Sequence, residues 1–202
     1  MAAFKDAVDL LQQRIRQEGN IAITQNFATE VLSRCERLIN AYLRRVTAST
    51  SFTTAAYTTI YNYRGTLTSA IDIISVEESN REIPWCSLAD LSAYDQAWFR
   101  RTSQEDTERF EFWTQLGRDA FILYPAKTAA SAVTVEYSKL VTGYTTYASV
   151  ASVAFELSRD DAEYAIALAE IILLARSRQF TTIQERMKTL IKALLLNRTG
   201  MN

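Results

Sequence analysis

The sequence predicts an α+β fold: N-terminal helices, a small antiparallel β-sheet in the middle, and C-terminal helices that form a helical bundle with the N-terminal ones. Two observations predict it. Apolar residues recur at three- and four-residue steps near both ends of the chain, which places them on single helix faces. Between those ends the residue types shift to Thr, Ser, Tyr and Val, and short apolar-polar alternations are punctuated by turn residues. The 202 residues read as a single domain, 1–202, made of N-terminal helices (1–46), a β-rich region (47–140) and a C-terminal helical hairpin (156–198).

The first helix is predicted over 3–18, with Phe4, Val8, Leu11 and Ile15 on one face and Gly19-Asn20 ending it. A second helix is predicted over about 25–46. Phe27, Val31, Leu32, Cys35, Leu38, Ile39, Tyr42, Leu43 and Val46 form its apolar stripe, and Glu30, Arg34, Arg37, Arg44 and Arg45 lie off it. The run VTASTSFTTAAYTTIYNY, Val46 to Tyr63, carries no charge and suits strands better than helices. Ala70 to Val76 reads as a strand, and Ser87 as a cap for a short helix at 88–93. Phe110 to Leu116 and Ala120 to Tyr124 flank Gly117-Arg118-Asp119, a hairpin signal. Ala132 to Leu140 alternates, with Val133, Val135 and Tyr137 on one side. A second charge-free run, LVTGYTTYASVASVAF, spans 140–155. Ser158-x-x-Asp161 opens a helix to about Gln179, with Tyr164, Leu168, Ile171, Ile172 and Ala175 on its buried side. Thr182-x-x-Glu185 repeats the capping form for a last helix, 183–197, facing inward with Ile183, Met187, Leu190, Ile191 and Leu194.

Composition removes most common catalytic devices. There is no histidine, so no Ser-His-Asp triad, Cys-His pair or His-ligated zinc can be built. Five glycines and two prolines leave little for a phosphate-cradling loop. Cys35 and Cys86 are expected as buried or half-buried free thiols. The N-terminus MAAFKDAVDLLQQRIRQEG has no apolar signal-peptide core, and the longest greasy run, Ala162 to Ala175, is interrupted by Glu163 and Glu170. The expectation is a soluble protein made in the cytoplasm, with no membrane partner and no cofactor.

Paired carboxylates remain as a device for hydrolysis: Glu77-Glu78 and Glu105, Asp106, Glu108 and Glu111. Neighbours in a strand point to opposite sides, which disfavours Glu77-Glu78, and solvated acids are the commoner state. No Asp-rich loop with a turn glycine marks a calcium site there. Aromatic and charged residues interleave at Trp98-Phe99-Arg100-Arg101 and Arg109-Phe110-Glu111-Phe112-Trp113. A nucleic-acid module using these residues and the arginines of the second and last helices is one reading. The net charge of −1 favours core or interface packing instead. Charge is segregated: residues 72–119 hold eleven acids and five bases, and residues 176–202 hold six bases and one acid. An acidic middle and a basic end suit two faces with different partners, or like subunits packing end on middle. The two charge-free runs read as contact surfaces, with Tyr57, Tyr61, Tyr144 and Tyr147 at a subunit interface.

The order of elements resembles the head-to-tail adaptors of tailed bacteriophages, the connector or neck proteins that include tail tubular and gatekeeper-like forms. The resemblance runs over about residues 24–178. It is carried by LSRCERLINAYLRRV, IDIISVEESNREIPWCSLADL, FEFWTQLGRDAFILYPAK, VTVEYSKL and LSRDDAEYAIALAEIILLARS in that order. It implies a structural virion protein of the neck or tail. A homo-oligomeric ring, a dodecamer, would sit beneath the portal protein and contact the next tail or nozzle protein. DNA would pass through the lumen without sequence specificity, and no catalysis is implied. The C-terminal segment departs from the family pattern as a basic amphipathic helix. By the resemblance it is the element reaching the portal, through Arg186, Lys188, Ile191, Lys192, Leu195 and Arg198.

Overall fold

The computed structural model describes residues 3–19, 22–63, 67, 69–99, 109–117, 119–175 and 180–199. The fold is α+β, with five helices and two small antiparallel sheets among the described residues. The chain divides into two compact units, one formed by Met1–Val46 with Leu140–Asn202 and the other by Thr47–Lys139.

The helical unit begins with α1 (Phe4–Gly19) and α2 (Gln25–Leu43). Phe4, Val8, Leu11 and Ile15 are all fully buried, as their spacing predicts. Thr24 caps α2 by accepting the Phe27 N–H at 3.3 Å. The helix stops earlier than its apolar pattern suggests. Arg44 turns left-handed (φ 56°) and donates its N–H to the Asn40 carbonyl, and the Val46 N–H then goes to Asn40 Oδ1. The expected stripe is also corrected: Leu38 and Tyr42 are exposed, while Thr29, Ser33, Glu36 and Asn40 are buried.

Two further helices, Arg159–Ala175 and Phe180–Thr199, complete this unit and are α4 and α5 in chain order. Ser158 caps α4 through its Oγ, which accepts the Asp161 N–H at 3.2 Å. The predicted buried side of α4 is met in part: Ile171 is buried and Tyr164 and Leu168 pack on the helical core, but Ile172 and Ala175 are exposed, and Ala162, Ala165, Ile166, Ala169, Leu173 and Leu174 are buried as well. The reason is that α4 is touched by α1, α2 and α5 at once, so its apolar residues need not share one face. Small alanines let those neighbours approach closely. The last helix starts at Phe180, ahead of the Thr182 capping form, and Ile191 is exposed rather than inward.

The sheet unit holds β1 (Thr47–Thr53), β2 (Ile60–Asn62), β3 (Ala70–Glu78), β4 (Arg81–Glu82), α3 (Leu88–Tyr94), β5 (Phe112–Leu116), β6 (Ala120–Tyr124) and β7 (Ala132–Lys139). The expected single sheet is two: β1-β7-β3-β4 and β2-β6-β5. The charge-free run 46–63 divides between them, β1 pairing with β7 and β2 with β6. The break follows Thr54, whose side chain and backbone bond Ser131, and includes Tyr57 at φ 59°. Val133, Val135, Tyr137, Ile73 and Val76 from one sheet share a core with Trp113, Phe121 and Leu123 from the other. Ser79 and Asn80, both at positive φ, make the two-residue hairpin between β3 and β4. Ser87 forms a reciprocal capping box with Asp90 at the start of α3.

Both cysteines are free, Cys35 buried and Cys86 half-buried. Burial pushes the Cys35 thiol up to about 12, which leaves it a packing group rather than a nucleophile. Among the described residues no helix is long and apolar enough to cross a membrane.

Candidate functional site

The helical unit presents two surfaces that its own core does not use, and α5 contributes to both. Leu190 is buried and Ile183 and Leu194 pack on the helical core. Around the helix from them, Lys188, Ile191, Lys192, Leu195 and Leu196 line one surface patch. Ile191, Leu195 and Leu196 are 49%, 52% and 64% exposed. Of the residues expected to dock, Lys188, Ile191, Lys192 and Leu195 therefore lie together. Arg186 does not share that patch. Its guanidinium reaches back to Glu18 on α1 (2.6 Å) and to Glu170 on α4. The Arg198 side chain lies outside the described residues.

The second surface is a groove of about 740 Å³ bounded by α1, α4 and α5. Ala167 and Ala193 are among its lining residues, and Glu18, Glu163, Glu170 and Glu185 face Arg14 and Arg186 there. Among the described lining residues, four carboxylates against two guanidinium groups give a net charge of −2. Glu170, nearly buried, is held by both arginines. Glu163 and Glu185 are exposed and form no ion pair among the described residues. These acids escaped sequence reasoning, because Glu163 registers there only as an interruption of a greasy run.

The charge-free run 140–155 is a strap lying along α2, not a free contact loop. It holds one 3₁₀ segment, Tyr147–Val150, and Ala154 forms an isolated bridge with Ala3. Its backbone is held by a polar stripe on the helix. The Tyr147 N–H donates to Asn26 Oδ1 (2.9 Å) and the Tyr144 N–H to Ser33 Oγ (2.8 Å). The Glu156 N–H donates to Glu36 Oε1 at 2.9 Å, with Leu157 N–H at 3.4 Å. Asn26, Ser33 and Asn40 recur every seven residues, two helical turns, so they stack on one face. That spacing is the signal that could have revealed the strap. Burial pushes the Glu36 carboxyl up to about 7, against the pull of its two backbone donors, and the nearby Glu156 charge adds to the rise.

The four tyrosines assigned to a subunit interface are differently placed. The Tyr144 ring packs edge-on against Phe4 at 5.6 Å. Tyr147 donates its hydroxyl to the Asp9 carboxylate at 2.8 Å, and Lys5 lies over its ring. Tyr61 donates to the Thr58 carbonyl at 2.7 Å and packs on Phe52 and Phe121; burial pushes its hydroxyl up to about 12. Tyr57 is the one of the four that is exposed, at 55%.

The carboxylate cluster does not assemble where it can be followed. Glu77 is exposed and Glu78 is buried, on opposite sides of β3. Glu78 accepts from Lys127 Nζ (2.5 Å) and the Phe110 N–H (3.4 Å). Burial raises its carboxyl, but Lys127, Ser131 and Phe110 outweigh that and hold it below the ordinary range. Glu111 is exposed and accepts from Tyr94. Glu105, Asp106 and Glu108 lie outside the described residues, as do Arg100 and Arg101. No group of three or more Cys, Asp or Glu side chains gathers to hold a metal ion among the described residues. Arg34 of α2 pairs with Glu30, Arg45 just past α2 with Asp161 and Asn197, and Arg186 of α5 as above. In comparisons with known proteins, no family model and no curated sequence matches the chain.

Proposed function

We propose that this chain is a structural adaptor subunit of a tailed bacteriophage virion. In this reading about a dozen copies form a ring between the portal and the next tail component, with DNA passing through without sequence-specific contact. The observation that carries the reading is the exposed face of α5. It sets three large aliphatic side chains beside two lysines on a helix already anchored by its opposite side. Contiguous apolar surface of this kind marks a protein contact. Exposed aromatic side chains elsewhere on the chain support the reading. The acidic sheet unit exposes Trp85, Tyr94 and Phe99, at 61%, 65% and 56%. Exposed apolar side chains on both units suit a protein that joins different neighbours. In this account α5 fastens the subunit into the ring on the portal.

The test is co-sedimentation with portal rings from the same virion. The wild-type chain is expected to sediment with the portal, and Lys188→Glu combined with Lys192→Glu to lower capture at least tenfold. A wild-type chain left in the supernatant contradicts the adaptor reading. A double variant captured like wild type contradicts the role given to α5.

A further inference from the structure

We infer that the groove between α1, α4 and α5 receives the exposed α5 face of a second copy of this chain, so that copies associate head to tail. The inference rests on the assembly role given to α5 above and names what covers that face.

Charge complementarity points to a second copy. Among the described residues the groove carries a net −2, while Lys188 and Lys192 give the α5 patch +2. Glu163 and Glu185 on the groove side, and the two lysines on the other, form no ion pairs among the described residues. One chain therefore displays both halves of a complementary set. On α5 the groove-lining Ala193 lies more than about a third of a turn around the helix from Lys188, Ile191 and Leu195, while Glu185 and Thr189 adjoin Lys192 and Leu196, so groove and face share an edge and the Ile191 and Leu195 side chains point away from the groove. A face cannot reach a groove walled by its own helix.

The shape agrees with the charge. Ala167 and Ala193 leave room in the groove, and small residues allow a helix to approach at the short end of the usual interaxial range. The Ile191 and Leu195 side chains, four residues apart on one face, supply the knobs. Glu170, clamped by Arg14 and Arg186, ties α1, α4 and α5 together.

Because the two surfaces differ, the contact is heterologous. Such a contact propagates until the rotation closes a ring or runs on as a filament. An isologous α5–α5 dimer would use one surface twice and stop at two copies. The two arrangements respond differently to charge reversal, since reversing the groove acids leaves an α5–α5 contact untouched.

The experiment uses two full-length variants, Lys188→Glu/Lys192→Glu (face) and Glu163→Lys/Glu185→Lys (groove), with circular dichroism checking that each folds. Self-association is read by sedimentation velocity without portal. The wild-type chain is expected to show concentration-dependent species larger than a dimer. Each variant alone is expected to associate at least tenfold more weakly, because like charges then meet at every contact. Their equimolar mixture is expected to recover association. The reversed face of one fits the reversed groove of the other, and the two native surfaces also fit, giving alternating copies. The four-substitution chain is expected to recover it as well. A wild-type chain that stays monomeric at every soluble concentration overturns the inference, as does a mixture no better than its components. A site for the portal alone leaves every chain monomeric, whereas an α5–α5 dimer shows itself by a groove variant that associates like wild type and by species that stop at two copies, and either result overturns the inference. Portal co-sedimentation reads the adaptor role separately: a chain that binds portal while the mixture fails to recover sinks this inference alone. A chain that recovers in the mixture yet ignores portal sinks the adaptor reading alone.

Discussion

Lowering the pH from 8 to 5 is expected to stabilise the helical unit, by up to about 3 kcal/mol, and Glu36→Gln is expected to remove most of that gain. Glu36 is 1% exposed on α2, and its ordinary value of 4.5 rises to about 7 in the folded chain. The folded state thus holds this proton more tightly than the unfolded state does. Its contribution is fully present below about 4.5 and is lost as pH rises through 7. The charged groups facing it are few: Glu156, whose carboxylate accepts the Thr142 N–H at 2.8 Å, is the like charge that adds to the rise. Glutamine keeps a carbonyl oxygen for the Glu156 and Leu157 N–H groups but has no proton to gain. Glu36→Ala leaves both donors without an acceptor and is expected to lose about 2–4 kcal/mol at pH 5. Urea titration followed by ellipticity at 222 nm weighs the helical unit. Parallel pH slopes in wild type and the Gln variant would show that another group titrates.

The second large effect belongs to the sheet unit. Lys127→Ala is expected to cost about 3–5 kcal/mol, because it strands the Glu78 carboxylate in the interior. The two side chains are 11% and 7% exposed and meet at 2.5 Å. Lys127 also lies over the Phe110 ring at 5.2 Å, so the loss includes packing as well as charge. Adding Glu78→Gln to Lys127→Ala should recover part of the loss, since the stranded charge is then gone. The pH dependence has the opposite sign to that of Glu36. Glu78 is held below its ordinary 4.5, so its contribution is present above that value and is lost as pH falls beneath it. All three tryptophans, Trp85, Trp98 and Trp113, lie within 47–139, so their fluorescence follows this unit. A Lys127→Ala chain unfolding at wild-type urea concentration would show that the pair contributes nothing net.

What the sequence disclosed follows from how local each interaction is. The first helix and β7 were legible because Phe4, Val8, Leu11 and Ile15, and Val133, Val135 and Tyr137, each face a single core. α3 was legible because its cap, Ser87, lies three residues from its partner, Asp90. The buried side of α4 was legible only at Tyr164, Leu168 and Ile171, because three helices touch it. The two-sheet split was hidden because it depends on pairings such as Thr47 with Ser138 and Ile60 with Ile122, remote in sequence. At the candidate site, Lys188, Ile191, Lys192 and Leu195 stand out by spacing on their own helix. The inward turn of Arg186 needs Glu18 and Glu170 from two other helices, and no local pattern records that. The strap over α2 has no period of its own, and the residues that hold it belong to the partner helix.

The central claim is that this chain works by assembling. The most direct measurement is the mass and shape of the purified protein mixed with portal rings from the same virion, by mass photometry and electron microscopy. The account predicts a single ring of chains added to one end of the portal, with a mass increment that is a whole number of 22.9 kDa subunits. Portal particles unchanged in mass, with the chain remaining separate at every ratio, would contradict it.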